Sequence, residues 1–356
     1  TLLLAIHAAM TVLYFNIPAN YFRPFDRHYL PVFVTLGVLV ACGLSVVTQQ
    51  TGNVATSRRR VGVAIGVLAA VLTPAAQLFG NWTSHDASER YFTRDFAANA
   101  LQSLPPNAIY FTVGDNDTFP VMYLQTVEGV RPDVRIVNLS LANAAWYVDQ
   151  LAKRDVTFPV TRSADGRRLT SISSDTTVVI PVRSTALRLG LPADSSIPAS
   201  VTVRPRPMFG TEATAADSVL LDIVRTNAWR DPITFAITGG DGGTPWLLPY
   251  ARLEGLHWRV VPVADLGPDR DTLRTNLLER FQFRGYSEPS ITIDDTTRIM
   301  GSLYVRAFTA LLDAEKAHGA IERCREAATS LMTILPPERL AFPGNDREKI
   351  EARCGG

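Results

Sequence analysis

"AIYFTVGDNDTFPVMYLQTVEGVRPDVRIVNLSL", residues 108–141, decides how the rest of the chain is read. A β-branched and aromatic run from Ile109 to Val113 breaks at Gly114. A helical pattern from about Thr118 to Val127 closes at Gly129, and a second β-branched run spans Val134 to Leu139. Strand, helix and strand in that order predict a parallel sheet with crossover connections. Between the first strand and the helix stand Asp115, Asn116 and Asp117. The residues leave three readings open. An Asx side chain caps the helix, whose positive end also favours acidic neighbours. Alternatively the triplet contacts a sugar or an acceptor, since open α/β sheets place ligands at the carboxyl ends of their strands. Binding of a metal through the triplet is a third and weaker option.

Outward from this stretch the same alternation continues. Phe92, Phe96 and Ala100 recur on one helical face between Ser88 and Leu104, and Pro105-Pro106 stop the segment. A helix is expected around Ala144 to Leu151, an irregular Ser/Thr/Pro/Arg-rich part over 155–210 with a strand near 177–182, a helix over 215–228, and strands at 233–238 and 258–263. From Thr296 onward two amphipathic helices, about 296–316 and 319–333, meet at His318-Gly319. They suggest a helical hairpin like a single tetratricopeptide unit.

The amino-terminal part is different. Apolar blocks run from Thr1 to about Phe15, from Tyr29 to Val47 and from Val61 to Phe79. The last two approach the roughly 20 residues that span a bilayer, and neither carries a charge. The loop between them holds Arg58, Arg59 and Arg60 and no acid, which places it in the cytoplasm and the residues after Phe79 outside it. The expected organisation is therefore three membrane helices (1–80, the first truncated), an extracytoplasmic α/β domain with a mostly parallel sheet (81–290), and a C-terminal helical hairpin (291–356). With a net charge of +1 and only three lysines, no field argues for nucleic acid. Cys42 lies in a membrane block, whereas Cys324 and Cys354 lie on the side where a disulfide is permitted.

Longer strings then add up. "RPFDRHYLPVF" (23–33), "SHDASERYFTRDFAANALQSLPP" (84–106) with its continuation to Leu151, "TNAWRDPITFAIT" (226–238), "YARLEGLHWRVVPV" (250–263) and "RGYSEPSITIDDTTRIM" (284–300) occur in order along the chain. Together they resemble the bacterial membrane proteins of domain-of-unknown-function family 2723, grouped with glycosyltransferase family 117, whose eukaryotic relative is a protein O-mannosyltransferase. The resemblance implies a multi-spanning enzyme of GT-C type. Such an enzyme takes a sugar from a polyprenyl-phosphate donor, without a cofactor, and passes it to an acceptor protein or glycan outside the bacterial inner membrane. The family carries its key acid in an Asp-x-Gly-Glu-like string of a first outward loop, and no such string occurs here. The chain is therefore expected to be a carboxy-terminal part with no catalytic residue of its own.

Within that frame Arg27, His28, His85, Asp86 and Arg94 are candidates for lipid-phosphate or substrate contacts, beside Asp115, Asn116 and Asp117. They flank the outer ends of the membrane blocks, where arginine suits phosphate and histidine exchanges protons readily. An interfacial belt of solvated charges and aromatic residues is the alternative for the first five. Trp146, Tyr147, Trp229 and Trp258 are expected mainly in the core. A non-enzymatic, membrane-tethered binding module is the rival reading of the whole.

Overall fold

In a computed structural model the described residues are Ile6, Ala9, 30–50, 56–155, 176–208, 212–239, 245–340 and 346–355. The chain divides into two compact units, residues 1–89 with 294–296, and 90–293 with 297–356.

The described residues of the first unit include the helices α1 (Leu30–Gln50) and α2 (Thr56–His85). Within α2, Arg60–Thr83 is long and apolar enough to cross a membrane, and none of that stretch is covered by protein. The apolar stretch of α1, Leu30–Gly43, is shorter.

The second unit is built on a five-stranded sheet. It opens with α3 (Phe92–Ser103), β1 (Ile109–Thr112), α4 (Asp115–Thr126), β2 (Arg135–Asn138) and α5 (Ala145–Arg154). β3 (Val178–Pro181), the single turn α6 (Ala186–Leu189) and β4 (Ser200–Val203) follow. Next come α7 (Ala215–Asn227), β5 (Ile233–Ala236), β6 (Ala251–Leu253) and β7 (His257–Val260). The strand order is β2-β1-β5-β7-β6, and β3 pairs with β4 in a separate antiparallel ribbon. β1 runs parallel to both β2 and β5, whereas β7 is antiparallel to β5 and β6. The sheet is thus parallel on one side and closed by an antiparallel hairpin on the other.

Every residue of β1 and β5 is buried, as expected of strands covered on both faces. The period-2 alternation sorts their side chains. Tyr110 and Ala236 face one core with α3, α4 and the C-terminal helices, while Ile109, Phe111, Ile233 and Phe235 face the other, with α5 and α7. The Phe111 and Phe235 rings stack at 4.8 Å across the β1–β5 register. Thr214 and Asp217 cap α7 reciprocally, each accepting the other's backbone N–H.

The chain ends in α8 (Arg270–Thr275), a π-helical turn over Asn276–Arg280, α9 (Asp295–Ala317), α10 (Ile321–Ile334) and α11 (Arg347–Arg353). A disulfide joins Cys324 on α10 to Cys354 after α11, with Cα atoms 5.6 Å apart. These helices do not form a core of their own. Asn99 of α3 donates to the Tyr304 hydroxyl of α9 at 2.7 Å, and Phe308, Leu311 and Leu331 share one core with Phe96 and Leu101. The sequence division at 291 therefore cuts through a packed unit, because the amphipathic faces of α9 and α10 are turned towards α3.

Candidate functional site

β1 ends in a turn at Gly114, which is the N-cap of α4 and has no side chain to accept a first-turn N–H. A Cβ at Gly114 would lie 3.2 Å from Asp117 Oδ1, so the residue suits the close approach of that carboxylate. α4 begins at Asp115, three residues earlier than the periodicity of the sequence indicates, and this places Pro120 in the second turn.

The Asp-Asn-Asp triplet separates into two parts. Asp117 turns inward and is only 2% exposed. Its Oδ2 accepts the Val113 N–H at 3.2 Å and the Thr238 hydroxyl at 2.5 Å. Burial pushes its carboxyl above the ordinary value. The Thr238 hydroxyl and the N–H groups of Val113, Asp117 and Gly114 offset only part of that shift. Asp115 and Asn116 are exposed on the first turn. The cap is thus supplied by an acid at the third helical position reaching back, and not by an Asx side chain at the N-cap.

Three strand ends meet here. Thr118 Oγ1 lies 2.8 Å from Thr112 Oγ1 of β1 and 2.6 Å from the Gly114 carbonyl, and it accepts Asn138 Nδ2 of β2 at 2.7 Å. Asn138 Oδ1 in turn accepts the Leu141 N–H at 2.7 Å, and Ser140 Oγ donates to the Val113 carbonyl at 2.8 Å. Thr238, which holds Asp117, follows β5. The chain leaves β1 for β2 on one side, and β5 lies on the other, so this polar array occupies the point where strand order reverses. Ligands of open α/β sheets bind at that point.

The other residues singled out from the sequence are distributed as follows. His85 ends α2, its Nδ1 3.1 Å from the Asn81 carbonyl, and Asp86 Oδ1 accepts the Ser88 N–H at 2.9 Å. Both line a shallow groove on the flank of α2, beside Asn81 and Trp82. Arg94 forms a two-point pair with Glu128 through Nε and Nη2, at 3.2 and 2.5 Å, so that edge of its guanidinium is already occupied by a carboxylate. Arg27 and His28 lie outside the described residues. Of the aromatic residues, Tyr147 and Trp229 are core and Trp258 is half-buried, but Trp146 is 61% exposed.

Sequence reasoning missed Thr112, Thr118, Asn138 and Thr238. The available signal was a polar residue ending or following each of three apolar strands. It also missed a buried array in which Ser103 Oγ lies 3.2 Å from His257 Nδ1, and His257 Nε2 3.5 Å from Glu254. Ser103 reaches His257 from α3, 154 positions away, and His257 is three residues from Glu254 in the hairpin of β6 and β7. At 8%, 0% and 4% exposure they clasp α3 to the hairpin and admit no substrate. Among the described residues no group of three or more metal-ligating side chains is placed to hold an ion.

Fold and site define an α/β domain in a chain that also carries an apolar helix of membrane-crossing length. Comparison with known proteins adds a family resemblance. Residues 93–179, which contain the polar array except Thr238, match the family described as TMEM260-associated domain 2. The chain is 30% identical over 130 residues to the mouse protein named protein O-mannosyl-transferase TMEM260, a match covering 36% of this chain and 18% of the mouse protein. It is 31% identical over 77 residues to the Dictyostelium discoideum protein of the same name, covering 22% of this chain and 9% of that relative. The matches thus span less than a fifth of either relative. No solved structure matches.

Proposed function

We propose that the chain is part of a GT-C-type membrane glycosyltransferase. It transfers a hexose, mannose by analogy with the names of its relatives, from a polyprenyl-phosphate donor to a polypeptide. In this reading the α/β domain is the acceptor-side surface outside a bacterial cytoplasmic membrane, and the two long C-terminal helices form a tetratricopeptide-like cap. The observation that carries the reading is the 130-residue similarity to a protein O-mannosyl-transferase. The side of the membrane is supported by Arg58–Arg60 before the apolar stretch of α2. The disulfide between Cys324 and Cys354 supports the same side.

Asp115 and Asn116 are the proposed acceptor or sugar contacts, because both are exposed on the first turn of α4 at the strand ends. His85 and Asp86, with Arg27 and His28, are the proposed contacts to lipid phosphate. Arg94 is proposed separately as a contact to phosphate. A tethered binding module without catalysis is the second reading. It is favoured by the engagement of the Asp117 carboxylate with Val113 and Thr238. The test is incubation of the full-length membrane protein in nanodiscs with polyprenyl-phosphate mannose and a Ser/Thr-containing peptide, read by mass spectrometry. Addition of a hexose to the peptide supports the transferase. An unmodified peptide, with donor intact, leaves the binding module.

A further inference from the structure

β2 forms one edge of the five-stranded sheet, and its outward backbone groups are not all used. Arg135 and Leu139 donate their N–H groups towards β1, to Ala108 and Thr112, at 2.8 Å each. By the alternation of a strand, Ile136 and Asn138 direct theirs away from the sheet. Two side chains close this outer edge at its ends. Gln125 Nε2 donates to the Val134 carbonyl at 2.7 Å, and the Asn138 N–H donates to the Tyr147 hydroxyl at 2.8 Å. Between them the N–H and C=O of Ile136 have no partner among the described residues. They open into a cavity of about 250 Å³ between α4 and α5, lined by Met122, Gln125, Ile136, Tyr147, Gln150 and Leu151.

A donor and an acceptor pointing the same way from one residue of an edge strand match one residue of another extended backbone. An ionised phosphate, which only accepts, meets only one of the two, and a sugar, whose hydroxyls can meet both, lacks the extended backbone that would continue along the strand. We propose that this groove binds a polypeptide in extended form by strand addition at Ile136, with Met122 and Leu151 contacting its side chains. In taking that polypeptide as the acceptor, the proposal rests on the transferase reading above. The contact itself is a separate matter, because backbone pairing is independent of any sugar.

The test uses the full chain in nanodiscs and a fluorescein-labelled, lysine-flanked peptide of alternating Thr and Val, followed by anisotropy without sugar donor. Saturable binding is expected. Methylating the backbone nitrogens of every second residue should weaken binding at least about tenfold in one of the two possible phases and not in the other. Gln150→Trp, at an exposed position on the groove wall, should weaken binding similarly while the melting temperature is unchanged. Equal behaviour of the two methylated peptides, wild-type affinity in Gln150→Trp, or no binding at millimolar peptide would each overturn the proposal. So would protection of a Gln150→Cys thiol from maleimide in the free chain, which would mean that the chain fills its own groove. A protein that binds the peptide but transfers nothing fails the transferase reading alone. One that glycosylates the peptide without binding it here fails only the strand-addition proposal.

Discussion

Two carboxylates in different parts of the sheet are almost equally removed from water, and their surroundings handle the charge in opposite ways. Asp117, after β1 in the parallel half, accepts only from neutral groups, the Val113 N–H and the Thr238 hydroxyl. Glu254, in the turn between β6 and β7, has Arg252 at 3.3 Å, His257 at 3.5 Å and Arg259 at 3.6 Å. Burial raises both. For Glu254 the hydrogen bond with His257 and the nearby positive charges outweigh burial and leave its carboxyl below the ordinary value. For Asp117 burial wins, and the carboxyl stays above it. The hairpin thus fixes a permanent charge inside an ion-pair cluster. The parallel half keeps an acid held by neutral donors alone, at the carboxyl ends of the strands, where open α/β sheets in general place ligands.

The largest expected effect in this comparison is at the hairpin. Glu254→Ala leaves Arg259 without its carboxylate and Arg252 with Asp269 alone, and should cost about 3–5 kcal/mol, read by chemical denaturation of the detergent-solubilised chain. Asp117→Ala leaves neutral donors unmatched and should cost less, about 1–3 kcal/mol. Asp117→Asn keeps an acceptor and should cost under about 1 kcal/mol. An Asp117→Ala cost equal to that of Glu254→Ala would break the distinction.

The pH dependence sharpens it further. Folded Asp117 holds its proton more tightly than the unfolded chain does. Its contribution therefore falls as pH rises from its ordinary 3.8 through the raised value. Folded Glu254 releases its proton sooner, so its contribution is complete above its ordinary 4.5 and is lost as pH falls through the lowered value. Relative to wild type, Asp117→Asn should gain stability with rising pH across the acid range, and Glu254→Gln should lose it. Slopes of the same sign would contradict the assignment. The smallest effect belongs to the surface. Arg94 and Glu128 are 44% and 26% exposed, and Arg94→Ala should change stability by less than about 1 kcal/mol.

What could be read from the sequence follows the range of the interactions. Ile109 to Thr112 and Arg135 to Asn138 are strands whose signal is local, a β-branched run ended by Gly114 or by a polar residue, and they are legible. The start of α4 is less so. Periodicity cannot show that Asp117 reaches back over Gly114 and so begins the helix at Asp115. β6 was not legible, since Ala251–Leu253 is three residues long and exists through its pairing with β7. The same limit applies to the site. The Asp-Asn-Asp triplet is visible as a string, but the separation of buried Asp117 from exposed Asp115 and Asn116 depends on Thr238, a residue 121 positions away. The association of α9 and α10 with α3 likewise rests on long-range contacts, the core shared by Phe96, Leu101, Phe308 and Leu331 and the bond of Asn99 to Tyr304.

The central claim is that the strand ends holding Asp115 and Asn116 form the acceptor-side surface of a glycosyltransferase, while Asp117 only positions them. Hexose transfer by the full-length protein carrying Asp115→Ala and Asn116→Ala tests it most directly, with the melting temperature followed in parallel. Loss of charge-assisted hydrogen bonds worth about 1.5–3 kcal/mol should lower kcat/KM roughly ten- to a hundredfold, with melting unchanged. Transfer at the wild-type rate in that variant would contradict the claim and reduce the triplet to the start of a helix.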